Sequence, residues 1–179
     1  MLERKLSMNK RIVLSGCSGG GKSTLIFELK NQGYTVVEEV GRQVVKEYGN
    51  IHPHARCEVI IARSIAAFYE VEEFNSVKDN FIFFDRCALE GVSYYHTLNG
   101  KYDCLINKLR YYPTIFMAPP WREIFLFDNE RKHSFEDATK EYHRLAQFYP
   151  QIGYKTVELP KTSVKDRVSF ILTRLNHGQ

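Results

Sequence analysis

The residues with the clearest chemistry are Gly16-Cys-Ser-Gly-Gly-Gly-Lys22-Ser23. They fit the spacing G-x-x-x-x-G-K-[ST] without a gap. Glycines let a backbone curl until successive N–H groups face one anion, and the helix that follows adds its positive end. The pattern predicts a phosphate-binding loop of the Walker A type, with Gly16, Ser18, Gly19, Gly20 and Gly21 forming the cradle. Lys22 would reach the β and γ phosphates, Ser23 would give an oxygen to Mg²⁺, and Thr24 would bond the α phosphate. The ligand expected from this motif is ATP or GTP with Mg²⁺. The competing account is a glycine-rich turn that only joins a strand to a helix.

Further carboxylates and cations stand where such a site needs them. Four apolar residues, Phe81 to Phe84, lead into Asp85 and Arg86. A carboxylate at that strand end would lie beside the loop and orient the water shell of Mg²⁺. Arg86 would touch an acceptor or a phosphate, or the pair would simply cap the next helix. Glu39 and Arg42 follow another β-branched run, where a carboxylate can orient or deprotonate an acceptor hydroxyl. A solvated acid at a helix start is the competing account for Glu39, and strand alternation turns Glu38 the other way. The charged stretch 121–133 holds Arg122, Arg131 and Lys132 and reads as a lid whose cations meet the γ phosphate. Its alternative is a surface helix of mixed charge.

The elements that must position these groups are legible as alternating periods. Strands are expected over 12–15, 34–37, 80–84, 114–117 and 154–159. Helices are expected over 23–31, about 41–48, 55–77, 88–98, 134–148 with Ser134 as N-cap, and 163–176. In the long helix 55–77 the spacing puts Val59, Ala62, Ile65, Ala66 and Tyr69 on one face. His52-Pro-His54 reads as loop, and Arg56 and Arg63 read as solvated rather than facing an acceptor. Strands alternating with helices imply an α/β fold: a five-stranded parallel sheet with helices on both faces, forming a single P-loop NTPase domain over 1–179. Ligands in such folds sit at the carboxyl ends of strands. That places the chemistry just after Leu14, Val37, Phe84 and Met117.

Composition narrows the class. The chain has 179 residues, 44% of them apolar, with 12 Phe and 11 Tyr, so ring packing should dominate one compact core. A net charge of +4 suits anionic ligands but lacks the dense basic stripe of a nucleic-acid binder. Cys17, Cys57, Cys87 and Cys104 form no CxxC pair and read as reduced thiols of a cytoplasmic protein. The six histidines show no metal-ligand spacing. The N-terminal residues lack the apolar run of a signal peptide, Met8 is a possible alternative start, and no stretch is long enough to span a membrane.

These residues together resemble a known family, the small P-loop proteins catalogued as AAA-domain ATPases, close to the nicotinamide riboside kinase domain. The likeness runs through the phosphate loop, Gly33 to Arg42, Phe83-Phe-Asp-Arg86, Pro119-Pro-Trp121, Asp128-Asn-Glu-Arg131, Gly153 to Pro160 and Ser163 to Val168. It implies a nucleotide-kinase-like fold with a lid segment and binding of ATP or GTP, and it makes Arg131 of the Asp-x-Glu-Arg motif the foremost lid cation. It does not imply a motor, whose second helical domain 179 residues would hardly accommodate. Many relatives carry a small residue where this chain has Cys87; with Cys17 in the loop, this predicts oxidation-sensitive binding. The reading favoured by these features is a kinase acting on an unidentified, nucleoside-like small-molecule acceptor, with Lys22, Glu39, Asp85, Arg86, Arg122 and Arg131 as catalytic residues and Glu39, Arg42 and Arg86 facing the acceptor. The alternative is a nucleotide-dependent switch with slow hydrolysis. Asn107-Lys-Leu-Arg110 and Asp85-Arg-Cys-Ala88 do not match the guanine-switch motifs Asn-Lys-x-Asp and Asp-x-x-Gly. A kinase of nucleic-acid ends, a third reading, lacks a basic stripe with interleaved aromatics.

Overall fold

A computed structural model describes residues 10–49, 51–71, 81–98, 103–126 and 134–176. Five strands, β1 (Arg11–Gly16), β2 (Thr35–Val37), β3 (Ile82–Asp85), β4 (Thr114–Ala118) and β5 (Lys155–Glu158), form one sheet in the order β2-β3-β1-β4-β5. Every pairing is parallel. Among the described residues six α-helices connect the strands, α1 (Lys22–Asn31), α2 (Val40–Tyr48), α3 (Pro53–Glu70), α4 (Ala88–Thr97), α5 (Asp103–Lys108) and α6 (Phe135–Gln151), and α7 (Val164–Asn176) follows β5.

The central strand shows why both faces must be covered. Successive side chains of a strand point to opposite faces, and β1 is apolar at Ile12, Val13 and Leu14, with the buried Ser15 after them. Ile12 and Leu14 pack with Leu25, Leu29, Val168 and Ile171 of α1 and α7. Val13 packs on the other face with Phe68, Leu89, Leu145 and Tyr149 of α3, α4 and α6. A continuous apolar run is what a parallel strand buried between two helical layers requires.

Several helix boundaries follow from capping. Ser134 Oγ accepts the Asp137 amide at 3.1 Å while the Asp137 carboxylate returns to the Ser134 amide at 3.3 Å. Such a reciprocal cap stabilises a helix start by about 1 kcal/mol. Ser163 Oγ likewise accepts the Asp166 amide at 3.2 Å ahead of α7. α6 runs to Gln151 rather than ending at Phe148, with Pro150 inside its last turn.

Three expectations are corrected. α3 begins at Pro53, not Ala55: His52 is its N-cap, accepting the His54 amide at 3.4 Å, and Pro53 occupies the first turn, where its missing N–H costs nothing. Its buried face is Cys57, Ile61, Ser64 and Phe68, while Ala62, Ala66 and Tyr69 are exposed. The expected stripe was one residue out of phase, since alanines and a tyrosine at helical spacing carry no information about which side meets the sheet. α5 was not foreseen; six residues are too few to show a helical period. The far end of the expected helix, 72–77, lies outside the described residues.

Candidate active site

The loop after β1 is shaped by contact with β4. Gly16 pairs with Ala118 in the parallel register, at the carboxyl ends of both strands. A Cβ on Gly16 would stand 2.4 Å from the Ala118 carbonyl oxygen, and its φ of +102° is closed to other residues. The Cys17 amide then donates to that same carbonyl at 2.8 Å, and the Gly20 amide returns to the Cys17 carbonyl at 3.1 Å. Among the described residues, the amides of Ser18, Gly19, Gly21 and Lys22 donate to no backbone carbonyl. Successive backbone N–H groups left unpaired at a turn are the donors from which anion nests are built. Lys22 is buried, and its Nζ donates to the Cys17 carbonyl at 2.8 Å. Burial, followed by the nearby Arg86 charge, pushes its ammonium down to about 8, with Asp85, Glu39 and Glu90 opposing.

Two separate strands bring the oxygen ligands together. Leu14 of β1 faces Asp85 of β3 in register, and Ser23 in the first turn of α1 donates its hydroxyl to Asp85 Oδ2 at 2.9 Å. Asp85 is 4% exposed, and its Oδ1 is buried without a hydrogen-bond partner. Burial raises its carboxyl above the usual range; Lys22 and Arg86 pull it down and Glu39 adds to the rise. An unsatisfied carboxylate oxygen beside a serine hydroxyl fits a hard cation that takes oxygen ligands. Among the described residues no group of three His, Cys, Asp or Glu can hold a metal alone.

Beside this pair lies a partly buried ionic chain. Arg86, at the turn from β3 into α4, carries φ +71°, the left-handed region that costs a non-glycine residue about 1 kcal/mol. Its guanidinium is held from both sides: Nε donates to Glu39 Oε1 at 3.1 Å and Nη1 to Glu90 Oε2 at 2.5 Å. The other Glu90 oxygen accepts the Tyr149 hydroxyl at 3.3 Å. Arg42 Nε meets the second Glu39 oxygen at 2.9 Å. Glu39 thus lies between two guanidinium groups. Burial raises its carboxyl, but Arg86, Lys22 and Arg42 together outweigh that and hold it below the ordinary value.

Two cavities open on this chain. The larger, about 440 Å³, runs along the phosphate loop and α1 and reaches Trp121 and Ser163. Its charged lining is Lys22, Arg42, Arg86 and Arg167 against Glu39, a strong excess of positive charge. The smaller, about 200 Å³, lies between β2, α3 and α4, with Val37, Ile60, Phe84, Arg56 and Tyr94 among its walls. Glu39 and Arg86 line both.

The structure sorts the sequence-derived candidates. Lys22, Ser23, Thr24, Glu39, Arg86 and the loop residues Ser18, Gly19 and Gly21 share the larger cavity, while Gly16 and Gly20 instead pack on β4. Arg42, expected on the acceptor side, lines the larger cavity and not the smaller. Arg122 is not brought to either cavity: it is 69% exposed, lies over the Phe135 ring at 4.9 Å and pairs with Glu136 at 3.5 Å. Its segment forms a single 3₁₀ turn, Arg122–Ile124, that turns the side chain toward α6. Arg131 and Lys132 lie outside the described residues. Arg56, read as solvated, lines the smaller cavity, whereas Arg63 pairs with Glu47 at 2.6 Å. Glu38 also borders that cavity but pairs with Lys30 at 3.1 Å. The expected oxidation sensitivity finds no support: Cys17 and Cys87 are buried, and burial pushes the Cys87 thiol up to about 12, far from thiolate. The Cys104 side chain lies outside the described residues. Glu90 and Arg167 were missed. Glu90 follows Arg86 by four residues, a helical ion-pair spacing that was available as a signal. Arg167 meets Gly20 across 147 residues, and no local pattern announces that contact.

A family model described as an AAA domain matches residues 11–167. This chain belongs to that AAA-domain family. Among curated proteins, no sequence matches. Solved structures share the fold at low identity. A deoxyadenosine kinase from M. mycoides superposes with a TM-score of 0.67 at 16% identity, covering 93% of this chain and 99% of the other. Thymidylate kinase from Candida albicans gives 0.70 at 13% identity, with 96% and 92% covered. The NadR protein in complex with NR gives 0.71 at 17% identity, covering 95% of this chain and 51% of NadR. At such identities the likeness is one of fold, and the fold of this AAA-domain protein is that of P-loop kinases. No described helix is long and apolar enough to cross a membrane.

Proposed function

We propose that this chain is a Mg²⁺-dependent small-molecule kinase that moves the γ-phosphoryl group of ATP or GTP to a hydroxyl of a nucleoside-like acceptor. The observation that carries this reading is the pair of cavities meeting at Glu39 and Arg86. A nucleotide switch needs only the first cavity; a kinase needs a second one that opens onto the same phosphate end.

In this reading the triphosphate lies in the larger cavity, with the loop amides and Lys22 on the β and γ phosphates. Ser23 and Asp85 would hold Mg²⁺, which when bound neutralises charge on the phosphate oxygens. The acceptor occupies the smaller cavity with its hydroxyl toward Glu39. The hydroxyl oxygen forms the new bond to the γ phosphorus while the bond to the nucleoside diphosphate oxygen breaks. Glu39, kept ionised by its two arginines, is a weak base; it orients the hydroxyl and takes its proton late. That suffices because the transition state is loose and positioning carries most of the catalysis. Arg86 spans the shared wall, where its charge can follow the transferring group.

The test is single-turnover phosphoryl transfer over a panel of nucleosides and other small alcohols, followed by Glu39→Gln on the acceptor found. We expect the variant to slow transfer by roughly 10²-fold with nucleotide affinity nearly intact. Hydrolysis with no acceptor-dependent transfer across the panel would favour the switch, and equal rates for wild type and variant would remove Glu39 from the mechanism.

A further inference from the structure

Arg167, in the first turn of α7, is a buried cation without a counter-ion. It is 2% exposed. Its Nη1 donates to the Gly20 carbonyl at 3.0 Å, but Nε and Nη2 are buried with no hydrogen-bond partner. Its guanidinium stands 5.7 Å from the Trp121 ring centroid, and a Cβ on Gly21 would approach Nη1 to 2.8 Å. No ion pair reaches it among the described residues, unlike Arg86, held by Glu39 and Glu90, or Arg144, held by Glu141. It lines the larger cavity together with Lys22 and Ser163.

A buried charge left unpaired opposes folding, and unmet N–H groups add to that cost. A residue used only to brace the Gly20 carbonyl would not need a full charge; one neutral donor would serve. What this position lacks is negative charge, and the phosphate loop it touches is built to receive negative charge. A guanidinium also offers a fork that matches phosphate oxygens.

We propose that Arg167 is a nucleotide-binding residue whose missing counter-charge is supplied by the phosphate chain of the bound nucleoside triphosphate. The empty site then carries an electrostatic penalty that binding removes. This rests on the nucleotide-binding part of the reading above and is independent of the acceptor. It also assigns the ligand group: the charge is met by phosphate rather than by the base, so inorganic tripolyphosphate should report on it as ATP does.

The test compares Arg167→Met and Arg167→Lys with wild type by thermal unfolding and by calorimetry with ATP, tripolyphosphate and adenosine. Methionine fills the space without the charge. We expect Arg167→Met without ligand to unfold no lower than wild type, and its affinity for ATP and tripolyphosphate to fall about tenfold. Arg167→Lys should fall between the two. A lower midpoint for Arg167→Met with full ATP affinity would overturn the proposal and leave a structural brace. Equal losses for adenosine and ATP would also overturn it, since the base side would then be what Arg167 reads. If Arg167→Met does not fold, Arg167→Lys decides: unchanged ATP affinity with a lowered midpoint refutes the proposal, and weakened affinity for both polyphosphates supports it. No ATP-induced stabilisation of the wild type would sink the nucleotide reading itself; stabilisation kept in full by the variants would sink only the role of Arg167.

Discussion

Raising the pH from 7 to 9 probes the phosphate loop without altering a residue. Lys22 ordinarily titrates at 10.5, and burial together with the Arg86 charge pushes it down to about 8 in the empty site. A bound triphosphate restores negative charge around the ammonium and holds its proton. Binding above about 8 must therefore take up a proton, and affinity falls as the free protein loses it. For a value of 8, the protonated fraction drops from about nine-tenths at pH 7 to about one-tenth at pH 9. The dissociation constant should rise about tenfold, or ~1.4 kcal/mol. The phosphate groups are already ionised across most of this window, so they do not offset the loss. The sign for folding is opposite. The unfolded chain keeps this proton up to about 10.5 while the folded one releases it near 8, so Lys22 makes the empty protein more stable as pH rises between those values. Calorimetry with a non-hydrolysable ATP analogue, run in two buffers of different ionisation heat, measures both affinity and proton uptake. Close to one proton should be taken up at pH 9 and almost none at pH 7. Constant affinity across the window with no proton uptake would refute the argument that Lys22 is desolvated and charged by its ligand.

Two further substitutions test neighbouring parts of the site. Asp85→Asn should leave metal-free nucleotide binding nearly unchanged and remove most of the gain that Mg²⁺ confers, at least tenfold; titration with and without Mg²⁺ reads this, and an undiminished Mg²⁺ effect would place the ion elsewhere. Glu90→Gln removes the carboxylate that holds Arg86 at 2.5 Å and should lower stability by about 2 kcal/mol; urea unfolding measures it, and a loss within about 0.5 kcal/mol would show that Glu39 alone suffices to hold Arg86.

The sequence by itself determined the local parts of this protein. The glycine-lysine-serine spacing announced the anion cradle because the loop closes within eight residues, with few contacts beyond β4. All five strands were legible because apolar runs bounded by glycine, proline or polar residues are a local signal. Ser134 and Ser163 marked helix starts for the same reason, each cap closing over three residues. Asp85 could be placed beside Ser23 from the strand-end rule alone, although the two are 62 residues apart.

What remained was decided by strand order and by which face each helix presents. The order β2-β3-β1-β4-β5 sets the end of β2 next to that of β3, and only this adjacency brings Glu39 onto Arg86 across 47 residues. Glu39 is an acid at a helix start in the sequence; in the fold it lies between two guanidinium groups that hold its carboxyl below the ordinary value. Arg56 and Arg63 lie on one helix and look alike in sequence. One turns to a cavity and the other to Glu47 of α2. Arg122 follows the proline pair as a lid cation should, yet a 3₁₀ turn and the Phe135 ring keep it outside both cavities. Arg167 was invisible because its partner is the first loop of the chain and its meaning is an absence of counter-charge. A period or a motif records which face of an element is apolar. Where a charge ends up, and whether another charge meets it there, depends on long-range packing that local pattern does not encode.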